Sequence, residues 1–221
     1  MKKNTIILLK SILTKIFQID MINKVRNIHC MALNYKGVGI TSETPLYFVK
    51  SLNTLNGNNS KIAYPNDTKS LWTEVELAIV IKEECFNISL EEVKKYILGI
   101  TVACDLTRKN IHDRDHHLAY SKSLPGFCPI DMENILSIDN LDVDNISMST
   151  EINGVITQSG NTKDMIYNVF ETVAYLSKFT KLSENDIILT GTPSGVENNI
   201  IEKGDKVVSR LENLTLKFDV I

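Results

Sequence analysis

Residues 73–81, TEVELAIVI, carry two glutamates, Glu74 and Glu76, at the start of a segment that then becomes wholly apolar. Such a run of β-branched and aliphatic residues predicts a strand that enters the core. Side chains alternate along a strand, so both glutamates lie on the face that continues with Ala78 and Val80. The opposite face is apolar throughout: Val75, Leu77, Ile79 and Ile81. Two carboxylates are therefore expected side by side at the rim of a buried face.

Two interpretations of this pair stand side by side. Glu74 and Glu76 form either a solvated strand end or a site where two like charges share a cation. A third acid, Asp105, ends a second predicted strand over residues 98–105, LGITVACD, although it also suits the N-cap of a helix predicted over 107–117. Three carboxylates are hard oxygen ligands that suit Mg²⁺, Mn²⁺ or Ca²⁺, whereas zinc prefers cysteine and histidine.

The bulk composition limits the class of protein. The 221 residues are 43% hydrophobic and 23% charged, with a net charge of −3, so a single generous domain, with or without an appendage, has enough apolar residues for a core. The weak negative charge argues against a nucleic-acid partner. No apolar run approaches the ~18 residues of a membrane span. The four scattered cysteines lack a C-x-x-C pair and indicate buried thiols in a reducing compartment, which predicts a cytoplasmic protein.

The amino end differs from the rest of the chain. Apolar residues recur at helical spacing there, with lysines on the other face, which predicts an amphipathic helix or leader over residues 1–22: Ile6, Leu9, Leu13 and Ile16. The alternatives are the front of a signal peptide, which the internal lysines argue against, and an extension that precedes a true start at Met21. Residues 23–221 are the predicted catalytic domain.

The remaining pattern is mostly strand with a few helices and does not alternate as β-α-β units, which predicts an α+β, mainly β fold. Helices are expected over residues 90–96, 107–117 and 165–180. Strands are expected over residues 24–33, 46–49, 74–81, 98–104, 149–153, 155–158, 187–189, 206–211 and 214–220.

Several motifs together resemble the fumarylacetoacetate hydrolase family. The E-x-E pair followed by Asp105 is similar to the metal triad of that family. The other matching segments run from about Val25 to the carboxyl end: ALNY (32–35), PLYFVKS (45–51), SKSLPGFCPI (121–130), EINGVITQSGNTKDMI (151–166) and DIILTGTPSGV (186–196). The stretches GFCPI, TEING and EKGDKV look closest to the branch of 2-hydroxyhepta-2,4-diene-1,7-dioate isomerases and homoprotocatechuate-pathway decarboxylases.

The resemblance implies a rolled mixed sheet or β-sandwich with a few covering helices, in a homodimer. It also implies a bound Mg²⁺ or Mn²⁺, a small 2-oxo acid or enol as substrate, and an enolate that serves several reactions. By the same resemblance the metal ligands are Glu74, Glu76 and Asp105, the catalytic lysine is Lys122, and the substrate-binding residues are Thr192, Tyr35 and Lys50. Without the family resemblance, Lys122 would be interpreted as a surface lysine, and Thr192 would be interpreted as part of a Gly/Pro turn.

The departures from the family pattern bear on the reaction. Hydrolytic members carry a histidine and a glutamate after the N-Y motif, but the segment here, residues 36–45, is shorter, lacks histidine and offers Glu43 as its only acid. After Asp105, the family's T-A-R-D becomes Thr107-Arg108-Lys109-Asn110, and three histidines follow: His112, His116 and His117. Without an evident base for water, isomerase (tautomerase) or decarboxylase chemistry is expected. The alternatives are C–C hydrolysis of acylpyruvates, with one histidine or Glu43 as the base, and a degenerate homologue that binds metal or oxo acid without turnover.

Overall fold

The computed structural model describes residues 21–38, 44–109 and 118–221. Within these ranges the chain forms thirteen strands: β1 (Ile28–Ala32), β2 (Leu46–Lys50), β3 (Leu55–Asn56), β4 (Ser60–Ile62), β5 (Leu71–Ile81), β6 (Ile97–Arg108), β7 (Cys128–Pro129), β8 (Ser147–Ile152), β9 (Val155–Asn161), β10 (Ile187–Leu189), β11 (Ile200–Ile201), β12 (Lys206–Leu211) and β13 (Leu214–Val220). The α-helices are Ala119–Lys122 and Val169–Ser177, and the 3₁₀ helices are Leu52–Thr54, Leu90–Tyr96, Thr162–Asp164 and Val196–Asn198.

The strands form one large mixed sheet, a second sheet packed on it, and a small two-stranded ladder. The large sheet has the order β11-β5-β10-β1-β2, with β6 also paired to β5, and the second sheet has the order β4-β13-β12-β8-β9. Strands β1 and β10 run parallel, whereas β5 and β6 form a long antiparallel pair. Strand β6 contacts β12 and β13 of the second sheet. The predicted mainly β fold with mixed sheets and few helices is confirmed.

The alternation expected in residues 73–81 is present in β5. Val75, Leu77, Ile79 and Ile81 lie in the main core, which the second sheet and the helix Val169–Ser177 complete. Ala78 and Val80 lie in a smaller core on the opposite face of the large sheet, with residues of β1 and β10. Because β5 is buried on both faces, its glutamates mark the place where one of these faces opens.

The turns and helix ends follow local sequence signals. Asn153 and Gly154 have positive φ (52° and 86°) and join β8 to β9 in the hairpin that this pair predicts. The helix Val169–Ser177 is shorter than the predicted 165–180, because the Asn168 side chain accepts from the Glu171 amide and begins the helix there.

The prediction of a helix over residues 107–117 is wrong at its start. Strand β6 continues through Thr107 and Arg108, which pair with Trp72 and Leu71 of β5. Polar residues there indicated a helix, but the ladder with β5 supplies backbone hydrogen bonds for two more residues. The rest of that segment, residues 110–117, lies outside the described residues, as do residues 1–20 of the predicted leader; residues 21–24 are helical.

The four cysteines are free and buried, as predicted. Burial raises the pKa of the Cys104 and Cys128 thiols to about 12, so both are neutral and unreactive at ordinary pH. None of the helices in the described ranges has the length and apolar character that crossing a membrane requires.

Candidate active site

The three predicted acids meet where β5 and β6 pair. Glu74 lies directly opposite Asp105 in the ladder, and Glu76 is two residues further along β5 on the same face. One carboxylate oxygen from each residue lies within 4.8 Å of the others. Glu76 and Asp105 are 2% and 1% exposed, whereas the Glu74 side chain is 15% exposed. The alternation of β5 and the pairing with β6 thus place three hard oxygen ligands around one point.

Two buried lysines bind this acidic cluster. The Lys122 Nζ lies 2.6 Å from Asp105 Oδ2 and 3.1 Å from Glu74 Oε2, and it donates to Thr107 Oγ1 at 2.8 Å. The Lys50 Nζ donates to the other oxygen of Asp105, Oδ1, and its side chain is 0% exposed. Each oxygen of Asp105 therefore faces one ammonium group, which fixes the orientation of its carboxylate.

Neighbouring groups orient the two glutamates. The Trp72 indole donates to Glu74 Oε1 at 2.9 Å, and the Thr107 hydroxyl donates to the same oxygen at 2.7 Å. The Gly191 amide donates to Glu76 Oε2. Sequence reasoning did not assign these three residues to the site. The two-residue strand period does group Trp72 with Glu74, and Thr107 with Asp105.

Gly191 has a structural reason to be glycine. Its φ is +91°, a conformation that L residues rarely adopt, and a Cβ there would lie 3.2 Å from both Asn34 Cβ and Met31 O. The absence of a side chain lets the backbone amide approach the Glu76 carboxylate.

The charges in the cluster are not balanced. Burial, followed by repulsion from Asp105 and Glu74, raises the pKa of Glu76 well above its ordinary value. Burial also disfavours ionised Asp105, but Lys122 and Lys50 outweigh this and lower its pKa. Burial disfavours the Lys122 ammonium as well, but Asp105 and Glu74 raise its pKa. With all three carboxyl groups ionised, three negative charges would face two ammonium groups, and a divalent cation would supply the positive charge that allows all three to ionise together.

A cavity of about 330 Å³ opens above the cluster. Its walls are largely apolar: Met31, Ala32, Leu33, Val38, Leu46, Phe48, Trp72, Leu118 and Val196. Its polar lining consists of Glu74, Glu76, Asp105, Thr107, Lys122, Gly191 and Thr192. The volume is at the small end of ligand pockets, which suits a small anion with a short apolar part.

The other predicted site residues have different positions. Thr192 lines the cavity. Lys50 contacts Asp105 and is wholly buried, so its position favours holding the carboxylate over binding substrate. Tyr35 is 1% exposed and its hydroxyl donates to Met148 Sδ at 3.6 Å, which favours a packing role in the core. Glu43 lies outside the described residues.

The histidines offer no base in the part of the site that the structure describes. His29 is 3% exposed and its ring nitrogens contact Asp186 and Tyr47, away from the cavity lining. His112, His116 and His117 fall in the undescribed range 110–117.

This arrangement has a clear chemical capacity. Three converging carboxylates suit a hard divalent cation, and the ammonium of Lys122 adds a fixed positive charge beside them. Apolar walls reduce the screening of both charges by water. Such a site binds a small anion and stabilises negative charge that develops on its oxygen.

Comparison with known proteins identifies the family of this chain. Residues 24–221 match the family described as fumarylacetoacetate (FAA) hydrolase C-terminal. An oxaloacetate tautomerase of Bacillus subtilis is 31% identical over 195 residues, which are 82% of this chain and 65% of that protein, so the chain spans just under two thirds of that relative.

Two solved structures extend the comparison. The 2-hydroxyhepta-2,4-diene-1,7-dioate isomerase of Mycobacterium marinum has a TM-score of 0.80 and 31% identity, over 89% of this chain and 75% of that one. The fumarylpyruvate hydrolase of Pseudomonas aeruginosa, solved with Mn²⁺ and pyruvate, has a TM-score of 0.80 and 26% identity, over 89% and 90% of the two chains. The resemblance seen in the sequence motifs is confirmed, and the chain belongs to the fumarylacetoacetate hydrolase family.

Proposed function

We propose that this protein is a divalent-metal-dependent enzyme that acts on a small 2-oxo acid or its enol. The reaction is isomerisation (tautomerisation) or decarboxylation through an enolate. The observation that carries the proposal is the convergence of three carboxylates and the Lys122 ammonium at the polar end of an apolar cavity of about 330 Å³.

Glu74, Glu76 and Asp105 are the proposed ligands of Mg²⁺ or Mn²⁺. Their oxygen donors fit such an ion, and so does the mutual repulsion of the three acids, which raises the pKa of Glu76 and which a cation would relieve. When bound, the ion supplies positive charge that stabilises an enolate oxygen. The relative from Pseudomonas aeruginosa, solved with Mn²⁺ and the 2-oxo acid pyruvate, supports both the metal and the class of substrate.

Lys122 supplies a second positive charge beside the reacting group. Its ammonium contacts Asp105 and Glu74, so its positive form is favoured, and it serves as a fixed positive charge rather than as a base. The apolar walls exclude water around it, which strengthens its field on a substrate oxygen. Thr192, on the cavity wall, is the proposed contact for the substrate carboxylate.

The reaction type follows from what hydrolysis requires. Attack by water needs a base within hydrogen-bond reach of that water. Among the lining residues that the structure describes, every carboxylate belongs to the proposed metal triad. Isomerisation and decarboxylation need no attacking water, so they are the leading reactions. Isomerisation does need a group that takes up the substrate's C–H proton, and Glu43 and the histidines of 110–117 are the proposed candidates for it. Hydrolysis of a C–C bond remains the second candidate, because the Pseudomonas aeruginosa relative is named a hydrolase.

One experiment separates these reactions. The purified protein is followed by NMR with oxaloacetate, acetylpyruvate and a 2-hydroxydienoate, with and without Mg²⁺. We expect kcat/KM for enolisation, isomerisation or decarboxylation to exceed that for acetylpyruvate cleavage by at least about tenfold, which is about 1.4 kcal/mol in barrier. Lys122→Ala should depress whichever activity is found.

The outcomes have distinct meanings. If acetylpyruvate is cleaved faster than any other substrate is isomerised or decarboxylated, the preference for isomerisation is wrong. Glu43 or the histidines of 110–117 would then be the first candidates for the base that activates water. Absence of Mg²⁺-dependent turnover would favour the non-enzymatic alternative, a homologue that binds metal or oxo acid. Glu151→Gln, at a half-buried pair with Arg210 outside the cavity lining, is the matched control and should leave the rates unchanged.

We also infer a homodimer in the cytoplasm. The family resemblance supports the dimer, and four free, buried thiols suit a reducing compartment. Sedimentation velocity measures the oligomeric state, and a monomer at all concentrations would contradict the first inference.

A further inference from the structure

A buried amide network lies behind the cavity wall that carries Thr192. Gln158, on β9, is 3% exposed, and its Nε2 lies 2.7 Å from the Pro193 carbonyl oxygen and 3.1 Å from Thr192 Oγ1. Its Oε1 lies 2.7 Å from Asn199 Nδ2. One amide thus connects the Thr192 loop to the rest of the domain.

Two backbone carbonyls fix the direction of these hydrogen bonds. A carbonyl oxygen only accepts, so the end of Gln158 that faces Pro193 O must be its NH₂ group. Asn199 likewise donates to Thr73 O at 2.9 Å, so its NH₂ group is the one that meets Gln158 Oε1. The alternative orientation of either amide would place two oxygens against each other.

The direction of these hydrogen bonds determines whether the Thr192 hydroxyl can still donate its proton to a ligand. A hydroxyl has one proton to donate and two lone pairs that accept. Gln158 Nε2 donates to Thr192 Oγ1 and so occupies a lone pair. Within residues 21–38, 44–109 and 118–221, no group accepts the Thr192 proton, and Thr192 lines the cavity. The proton is therefore available to a ligand there.

The loop is also held by close packing. Gly160, two residues after Gln158 on the same face of β9, has Pro193 against it, and a Cβ at Gly160 would lie 2.4 Å from the Pro193 ring. The strand and the loop thus meet at two points, the Gln158 amide and the Gly160 backbone.

We propose that Gln158 is a positioning residue that makes Thr192 a hydrogen-bond donor toward the cavity. A donor at this place selects ligands that present an acceptor, such as the carboxylate of a 2-oxo acid, and disfavours ligands that present a donor group. This inference rests on the proposed function, because it takes Thr192 as the carboxylate contact.

The test reverses the polarity of the amide without changing its shape. In Gln158→Glu, the oxygen that replaces Nε2 accepts the Thr192 proton, which turns the donor away from the cavity, and the hydrogen bond to Pro193 O is lost. The readout is the Kd of oxalate, an unreactive 2-oxo acid analogue, measured by calorimetry on the Mg²⁺-loaded protein. We expect Gln158→Glu to weaken oxalate binding by about tenfold or more, because a hydrogen bond to a charged group is lost.

A double-mutant cycle separates this effect from simple repulsion by the new charge. Thr192→Val removes the donor, so in that background Gln158→Glu should change the oxalate Kd by less than about threefold. Thr192→Ser keeps the hydroxyl, so in that background Gln158→Glu should again weaken oxalate binding by about tenfold or more. Thr157→Val, which removes a hydrogen bond on the far side of Asn199, is the matched network control and should leave oxalate binding nearly unchanged.

Each outcome decides a claim. An undiminished effect of Gln158→Glu in the Thr192→Val background would overturn the positioning role, as would unchanged oxalate binding in Gln158→Glu. A parent protein that binds no oxalate with Mg²⁺ would instead overturn the proposed function, and this inference with it. If Gln158→Glu fails to fold, Gln158→Met replaces it in the double-mutant cycle. Methionine removes the amide that orients the Thr192 hydroxyl, so oxalate binding should again weaken, and the effect should again disappear in the Thr192→Val background.

Discussion

Lys50→Met tests whether Lys50 holds Asp105 or binds substrate. The Lys50 side chain is 0% exposed and its ammonium donates to Asp105 Oδ1, while Lys122 holds Oδ2. Methionine fills similar space but removes the charge and the donor. The Asp105 carboxylate, itself 1% exposed, then loses one of two partners and cannot turn to water.

The expected loss of stability is large. Removal of one member of a buried ion pair costs about 3–5 kcal/mol, because the remaining charge stays desolvated. For a chain of this size each kcal/mol lowers Tm by about 2–4 °C, so a fall of about 6–20 °C is expected. The pKa of Asp105 should rise at the same time, since Lys50 is one of the two lysines that lower it.

The assay is urea and thermal unfolding of metal-free protein at neutral pH. Lys181→Met is the matched control, because its ion pair with Glu84 is exposed on both sides, at 60% and 58%, and water screens it. In the double variant Lys50→Met/Asp105→Asn, neither charge of the pair remains, so its loss should be smaller than the sum of the two single losses.

Two results would refute this reasoning. Unfolding of Lys50→Met no more easily than of Lys181→Met would show that the buried pair contributes nothing to stability. A variant of unchanged stability with a raised KM would instead return Lys50 to the substrate-binding role that the sequence predicted.

Two further predictions concern the metal. Glu76→Gln should weaken Mg²⁺ binding by at least about tenfold in calorimetry, because one anionic ligand of three is lost, whereas Glu151→Gln should bind as the parent does; equal affinities in the two variants would exclude Glu76 as a ligand. Mg²⁺ affinity should rise with pH, because burial and the neighbouring acids raise the pKa of Glu76 and its carboxyl must lose a proton to bind the ion. Calorimetry in buffers of different ionisation enthalpy should therefore show that protons are released on binding. Proton uptake on binding would contradict the assignment of Glu76 as a ligand.

The predicted strands that agree best with the structure are those with strong local signals. Strands β10, β12 and β13 have the predicted bounds, because alternating or continuous apolar residues are bounded there by turn residues. The helix expected over 107–117 is wrong at its first residues, because Thr107 and Arg108, although polar, pair their backbone groups with β5. The polarity of a short segment does not reveal whether that segment pairs with a strand that is distant in the sequence.

The candidate site also contains features that local sequence predicts and features that it does not. The shared face of Glu74 and Glu76 follows from strand alternation alone, so it was predictable from nine residues. Lys50 was expected in the pocket, but the pairing of β2 with β1 at the sheet edge places it on the far oxygen of Asp105. Tyr35 was also expected in the pocket, and its hydroxyl donates to Met148 in the core.

The mainly β architecture, the family and the pair of acids on β5 could be predicted from the sequence, because they depend on periodicity and motifs within short segments. The groups that surround those acids could not be predicted in this way, because they come together only in the folded chain. Lys50, Lys122 and the Gln158–Thr192 contact come from separate segments of the chain, and the ladders of the two sheets bring them to within hydrogen-bond distance. A hydrogen bond depends on atomic distance and direction, and sequence spacing specifies neither across a fold of this length.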